Sequence, residues 1–195
     1  MHQFKQIVFW VLMITYIAYP LSLIQGYVNV AEQGQAFRLR PRPVDPFDNF
    51  RGSYVTLSYD NFLDYPSADQ QFHLDKVIYL QLNQEADGFA QFSTPTAEPP
   101  GHSSYFRTRI TQLSENGLRF QIPDNLQRYY LPADMALLAE RAYRELARRN
   151  APPNSIYIDI RVKDGQIVIE ELFLEELPIK TYLRQKLEEL ETSAN

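Results

Sequence analysis

The sequence predicts an α+β protein, in which an N-terminal single transmembrane helix is followed by one mostly antiparallel β-rich domain with two helices. An uncharged apolar run over residues 7–24 predicts the transmembrane helix. Alternating segments joined by Asp-Gly and Asn-Gly turns predict hairpins, and hairpins make an antiparallel sheet. Two segments with helical periodicity complete the domain. We therefore expect an anchor in residues 1–28 and a soluble domain in residues 29–195.

The composition excludes several classes of protein. The 195 residues contain no Cys, which excludes a disulfide scaffold, a thiol nucleophile and a Cys-bound metal or cluster. The net charge of -5 argues against a nucleic-acid partner. The mean hydropathy of -0.36 excludes a polytopic membrane protein but leaves room for a single span. With 45% hydrophobic residues, the chain is able to bury a core.

The apolar run 7–24 has the dimensions of a membrane span. Its residues rise about 1.5 Å each and cover roughly 27 Å, close to the ~30 Å hydrocarbon core. Aromatic residues near its ends, Trp10 and Tyr27 among them, are typical of membrane interfaces. A cleaved signal peptide and a buried core helix are the alternatives. The residues after Leu23 contain no good small-x-small cleavage triplet, so we favour a retained anchor.

Two signals for the orientation of the span disagree. Arg38, Arg40 and Arg42 follow the span, and by the positive-inside rule they favour a cytoplasmic domain. A short N-terminal tail before an apolar segment is instead the usual arrangement for export, and on that ground we expect an extracytoplasmic domain. The same three arginines alternate along an extended segment, so they face one side. They are candidates for contact with anionic lipid headgroups, with an ordinary polar strand face as the alternative.

The elements of the domain follow from alternation, turn residues and helical periodicity. Strands are predicted at 36–40, 54–59, 77–82, 89–92, 105–112, 118–122, 128–131, 156–162 and 166–174. Hairpin turns are predicted at Asp87-Gly88, Asn116-Gly117 and Asp164-Gly165. A loop is predicted over 94–104, and helices over 133–149 and 177–192.

Two segments carry a resemblance to a known family. Residues 43–59 read PVDPFDNFRGSYVTLSY and resemble the signature of the GDYXXLXY protein family. Residues 127–134 read QRYYLPAD and are similar to a second family segment, which is followed by a Glu. The resemblance covers residues 6–175. The positions that match are Asp45, Pro46, Arg51, Gly52, Tyr54, Leu57, Tyr59, Arg128, Tyr129, Pro132 and Glu140.

The resemblance implies a membrane anchor and companionship with larger integral membrane proteins, and it implies no particular activity. At position 53 this chain has Ser where the family motif has Asp. If that carboxylate were catalytic, this protein would be inactive. If it only caps the turn before the strand, the Ser53 hydroxyl is able to do the same, and we favour this second interpretation. The matched positions are therefore expected to serve the structure or an interaction.

A search for chemistry finds no catalytic, cofactor-binding or metal-binding constellation. The histidines, His2, His73 and His102, have no partner at metal-ligand spacing. There is no G-x-S-x-G motif, no P-loop and no G-x-G-x-x-G. We therefore assign no cofactor and no metal, and we do not expect an enzyme.

Three functions compete on these observations. The first is a membrane-anchored, non-enzymatic accessory protein of the bacterial envelope that binds another membrane or envelope protein. The second is a lipid- or small-ligand-binding β module at the membrane surface. The third is a remnant of a signal-peptidase-like hydrolase, which the stretch Gly52-x-Tyr-Val distantly resembles, although no Ser–Lys pair stands at a motif spacing.

Overall fold

The computed structural model describes residues 2–42, 54–65, 72–101, 104–148, 152 and 154–193. The helices are α1 (His2–Gln33), α2 (Asp124–Gln127), α3 (Ala133–Arg148) and α4 (Ile179–Ser193). The strands are β1 (Gln35–Leu39), β2 (Tyr54–Thr56), β3 (Phe62–Asp64), β4 (Val77–Gln84), β5 (Ala90–Thr96), β6 (Tyr105–Ser114), β7 (Gly117–Phe120), β8 (Arg128–Tyr130), β9 (Ile156–Lys163), β10 (Gln166–Leu174) and β11 (Leu177–Pro178). The predicted α+β class and the N-terminal helix are confirmed.

Helix α1 is apolar on all sides and exposed along most of its length. Its segment Gln3–Gln33 contains an 18-residue apolar window with a mean hydropathy of 2.1, and none of that window is buried in the fold. A helix of this length and composition is able to cross a membrane, and an N-terminal signal sequence has the same properties. The helix continues well past the predicted run 7–24, and a single residue, Gly34, joins it to β1.

The strands form three antiparallel sheets. The first sheet has the order β1-β9-β10-β11, the second is the pair β2-β8, and the third has the order β3-β7-β6-β4-β5. The edge strands β3 and β5 of the third sheet also contact each other, so this sheet curls towards a barrel. A parallel bridge between Phe106 and Gly165 joins the third sheet to the turn between β9 and β10.

One hydrophobic core lies between the sheets and the two longer helices. Alternation puts Ile158, Ile160 and Val162 of β9 on the inner face, where all three are fully buried. Helix α3 contributes Ala139, Tyr143 and Leu146, and α4 contributes a second apolar stripe. The core residues with almost no exposure include Leu57, Ile78, Leu80, Phe106, Ile110, Leu118, Phe120, Leu126, Leu172 and Leu174.

Several element boundaries differ from the sequence prediction. Strand β5 runs to Thr96, where a loop was expected from Thr94, because β4 continues to pair with it through Tyr79. The segment expected to be helical from Leu177 begins as β11, since Leu177 pairs with Leu174, and α4 starts at Ile179. Strand β2 ends at Thr56 instead of continuing to 59.

The turn at Asn116-Gly117 also differs in detail. Ser114 pairs with Gly117, so the two loop residues are Glu115 and Asn116, and Gly117 already belongs to β7. A Cβ atom at Gly117 would lie 2.2 Å from the Leu63 carbonyl oxygen. Glycine is needed here because β3 passes too close for a side chain, and not because of a left-handed turn conformation. The sequence prediction missed β3 and the short α2.

Candidate functional site

The two family-like segments, which are far apart in the sequence, pair with each other in the fold. Strand β2 lies antiparallel to β8, with Tyr54 opposite Tyr130, Val55 opposite Tyr129 and Thr56 opposite Arg128. Immediately after β2, the amide of Leu57 donates a hydrogen bond of 2.8 Å to the carbonyl of Gln127. The described parts of the two motifs, β2 and β8, therefore form a two-stranded ribbon.

The outer face of this ribbon carries an aromatic–arginine cluster, formed by Tyr54, Arg128 and Tyr130. The rings of Tyr54 and Tyr130 meet edge to face with their centroids 5.7 Å apart. The Arg128 guanidinium lies 5.4 Å from the centroid of the Tyr54 ring, within cation–π range. A hydrogen bond with Tyr130 and the neighbouring Tyr54 ring raise the pKa of Arg128 above its ordinary value. Tyr130 is nevertheless 67% exposed.

The inner face of the ribbon is structural. Val55 and Leu57 are almost completely buried, and the Tyr59 hydroxyl donates to the Leu126 carbonyl at 3.0 Å. The Tyr129 hydroxyl donates to Oε1 of Glu171 at 2.5 Å, at the point where β10 shifts its register against β9. Burial and this hydrogen bond raise the pKa of Tyr129. These motif residues attach the ribbon to the core and to β10.

Pro132 marks the end of the second motif and the start of α3. Its carbonyl oxygen accepts hydrogen bonds from the amides of Met135 at 3.0 Å and Ala136 at 3.1 Å. Later in the same helix, the buried Tyr143 hydroxyl donates to the Arg42 carbonyl at 3.2 Å. Burial raises the pKa of Tyr143 to about 12. The helix therefore holds the chain just before the first motif.

The three arginines proposed as headgroup contacts each have a carboxylate partner within the domain. Arg38 pairs with Asp159 at 3.1 Å, and Arg42 pairs with Asp60. Arg40 donates to Asp87 at 2.8 Å and to Asn154 at 2.6 Å, and its guanidinium stacks 3.8 Å from the centroid of the Phe89 ring. Arg40 thereby joins the β4–β5 turn to the chain before β9.

A cleft of about 630 Å³ lies between the end of β1, residues 59–65 and the edge strand β5. Its lining mixes aromatic, aliphatic, polar and charged side chains. The lining includes Arg40, Tyr59, Asp60, Asp64, Tyr65 and Phe92. The volume is within the range of small-ligand sites.

Some predicted site residues lie outside the part of the chain that the structure describes. These are Asp45, Pro46, Arg51 and Gly52, together with Ser53, and for Glu140 only the backbone is described. Among the described residues, no group of three or more His, Cys, Asp or Glu side chains is placed to hold a metal ion.

Sequence reasoning missed two residues that belong to the site. Tyr130 follows Arg128 by two positions, so strand alternation alone puts the two side chains on one face. That signal was present in the sequence. No local sequence pattern predicts that Glu171 belongs to the site, because it reaches Tyr129 only through the tertiary fold.

One comparison with known proteins identifies a family. Neither the curated proteins nor the solved structures contain a match to the chain. The family model described as GDYXXLXY protein matches residues 16–172, which is more than half of the chain and includes α1 from Tyr16 onward, both motif segments and most of the β9–β10 hairpin. The chain belongs to the GDYXXLXY protein family.

Proposed function

We propose that this protein is a membrane-anchored, non-enzymatic accessory protein that binds another membrane or envelope protein through the aromatic–arginine cluster. The observation that carries the proposal is that both motif segments meet to expose Tyr54, Arg128 and Tyr130 on one face. Tyr and Arg are enriched at protein interfaces and among the residues that dominate binding energy. The inner motif residues hold the cluster rigid.

The anchor in this proposal is α1, with residues 1–28 in the membrane and residues 29–195 as the domain. Val30 supports this boundary, because it is the first buried residue along the helix, at 3% exposure. We propose that the domain is extracytoplasmic. The chain has no Cys, so an Ala86→Cys variant labelled in intact cells by a membrane-impermeant maleimide tests the side directly. Labelling only after lysis would place the domain in the cytoplasm.

The experiment that tests the interaction is a tagged purification of the full chain from native membranes in mild detergent. We expect one stoichiometric membrane-protein partner. Tyr130→Ala and Arg128→Gln should each weaken the complex by about 30-fold, the size of a 2 kcal/mol contact. Leu74→Ala is the matched control, because Leu74 is also an exposed apolar side chain, at 57%. A protein that purifies as a lone monomer would overturn the proposal.

A second candidate function, binding of a small ligand, is favoured by the cleft between β5 and residues 59–65. The aromatic side chains in its mixed lining suit the apolar part of a ligand, and Arg42 and Asp60 suit a polar end. A thermal-shift screen of the full chain against small amphipathic molecules tests this function. A hit should be lost in Thr94→Trp, which places a large side chain at an exposed position of the cleft lining, and retained in Leu74→Ala.

A further inference from the structure

The connection between the anchor helix and the domain is rigid. The last turns of α1 pack against the β9–β10 hairpin, where Nζ of Lys163 donates to Asn29 at 3.2 Å and to Gln33 at 2.7 Å. Arg161 donates to the Gly34 carbonyl at 3.3 Å. Gly34 is the one residue between α1 and β1, and both its amide and its carbonyl group are hydrogen-bonded. The domain therefore has a fixed position relative to the helix.

This position puts the turn between β9 and β10 beside the membrane boundary. The apolar run ends at Ile24, and Gly26 lies two residues, or about 3 Å, further along the helix. A Cβ atom at Gly26 would be 3.9 Å from Oε1 of Gln166, at the start of β10. The headgroup layer is roughly 5–8 Å thick on each side of the hydrocarbon core, so Gln166 falls within it. The exposed ring of Tyr27 lies at the same level of the helix.

The start of β6 lies against the same turn and carries basic side chains. The amide of Arg107 donates to the Gly165 carbonyl at 3.2 Å, and a Cβ atom at Gly165 would be 3.0 Å from the Tyr105 ring. Arg107 and Arg109 alternate with buried residues of β6, so both point outward and are exposed. With Lys163 they outweigh the single negative charge of Asp164 in the turn.

From this geometry we propose that the β9–β10 turn and the start of β6 form a second contact with the membrane, in which Arg107 and Arg109 bind anionic phospholipid headgroups. The inference rests on the proposed role of α1 as an anchor. It differs from the headgroup contact expected from the sequence, because Arg38, Arg40 and Arg42 are engaged by carboxylates of the domain. Each arginine near an anionic membrane surface increases the affinity for that surface by about five-fold.

The depth of three single-cysteine nitroxide labels tests the position of the turn. The full chain is placed in phospholipid nanodiscs with labels at Gln166→Cys, Ile14→Cys or Ala86→Cys. Ala86 is the distal control, because its turn is held by Arg40 beyond the far end of β1. We expect oxygen to relax the label at 14, a water-soluble nickel chelate to relax the label at 86, and an intermediate response at 166.

The three labels distinguish a failure of the proposed anchor from a failure of the proposed second membrane contact. If the label at 14 is as accessible to nickel as the label at 86, the anchor fails and the inference fails with it. If the label at 14 is in the hydrocarbon core but the label at 166 behaves like the one at 86, the anchor stands and the second contact is overturned.

A charge comparison tests the headgroup contact. Nanodiscs of phosphatidylcholine alone are compared with nanodiscs of equal parts phosphatidylcholine and phosphatidylglycerol. Because the position of the turn is fixed, the readout is the lipid around the protein. In the mixed nanodiscs we expect spin-labelled phosphatidylglycerol to be enriched over spin-labelled phosphatidylcholine around the full chain, and Arg107→Gln with Arg109→Gln to reduce this preference by about five-fold per arginine. The matched control, Arg38→Gln with Arg42→Gln, removes the same charge and should leave the preference unchanged. The reverse pattern, or no effect of either pair, overturns the proposal.

Discussion

The substitution Gly34→Ala is expected to loosen the connection between the anchor and the domain. Gly34 is the one residue between α1 and β1, and its amide donates to the Val30 carbonyl at 2.8 Å. A Cβ atom at this position would lie 2.4 Å from the Val30 carbonyl oxygen, 3.0 Å from the Val162 amide nitrogen and 3.1 Å from Cβ of Arg161. Two of these three neighbours are backbone atoms, so the helix and the hairpin must move apart.

The magnitude follows from two opposing effects. Forcing an extra methyl group into a packed site costs about 1–3 kcal/mol. Replacing Gly by Ala also restricts the unfolded chain, which returns about 0.4–1 kcal/mol. The expected net loss is about 1–2 kcal/mol, which for a chain of this size corresponds to a fall in Tm of about 2–8 °C.

The assay is thermal unfolding of the full chain in detergent, followed by circular dichroism. Hydrogen exchange of the amide at position 34 reports the junction itself, and its protection should be lost. Gly101→Ala is the control, because nothing lies within 4 Å of a Cβ atom there, and its Tm should be unchanged or slightly raised. If Gly34→Ala unfolds like Gly101→Ala and keeps the protected amide, the rigid junction is refuted.

Three further predictions concern single side chains. Tyr129→Phe removes the hydroxyl that donates to Glu171 at 2.5 Å, and urea unfolding should show a loss of about 1.5–3 kcal/mol. Because burial raises the pKa of Tyr143 to about 12, the folded state keeps this proton above the ordinary value of 10.0. The contribution of Tyr143 to stability should therefore be constant below pH 10 and fall by about 1.4 kcal/mol per pH unit from there to pH 12, which stability measurements across alkaline pH would show. The raised pKa values of Tyr59 and Tyr129 add to the same fall. Arg40→Lys loses the geometry that bonds Asp87 and Asn154 at once, and it loses the stacking on Phe89, so thermal unfolding should show a loss of about 1–2 kcal/mol.

Each of these predictions has a control. Tyr130→Phe changes the neighbouring, exposed hydroxyl and should alter stability by less than about 0.5 kcal/mol. Tyr143→Phe should reduce the alkaline slope by about 1.4 kcal/mol per pH unit, and an unchanged slope would contradict the assignment. Arg38→Lys keeps a surface pair with Asp159 and has only a longer ring contact, 5.1 Å from the centroid of Tyr157, so it should be nearly neutral. An equal loss for Arg38→Lys and Arg40→Lys would show that the contacts of Arg40 with Asp87, Asn154 and Phe89 contribute no more than a surface pair.

The elements with strong local patterns were predictable from the sequence. The four branched residues from Ile156 to Val162 alternate without interruption, and the Asp164-Gly165 turn has the positive φ that the motif requires, at 49° and 82°. The uncharged run within α1 is equally local. In such segments the solvent preference of each residue and its neighbours decides the structure, so no distant contact is needed.

The candidate site was predictable only in part. The motif positions were identified, and Tyr54, Leu57, Tyr59, Arg128, Tyr129 and Pro132 all lie in the described ribbon or beside it. That the two motifs pair was not evident, because all five strands of the third sheet lie between Tyr54 and Tyr130 in the sequence. The roles of Arg38, Arg40 and Arg42 also depended on the acidic side chains that folding brings to them.

The sequence by itself determined the apolar N-terminal helix, the hairpins and the inward faces of β9 and α3. The tertiary structure decided the pairing of β2 with β8, the docking of α1 on the β9–β10 hairpin, and the existence of β3, whose three residues pair with β7 more than fifty positions later. Local periodicity of apolar residues indicates which face of a helix or strand is buried. Which two elements meet depends on chain closure and on packing against all the others, and no short stretch of sequence contains that information.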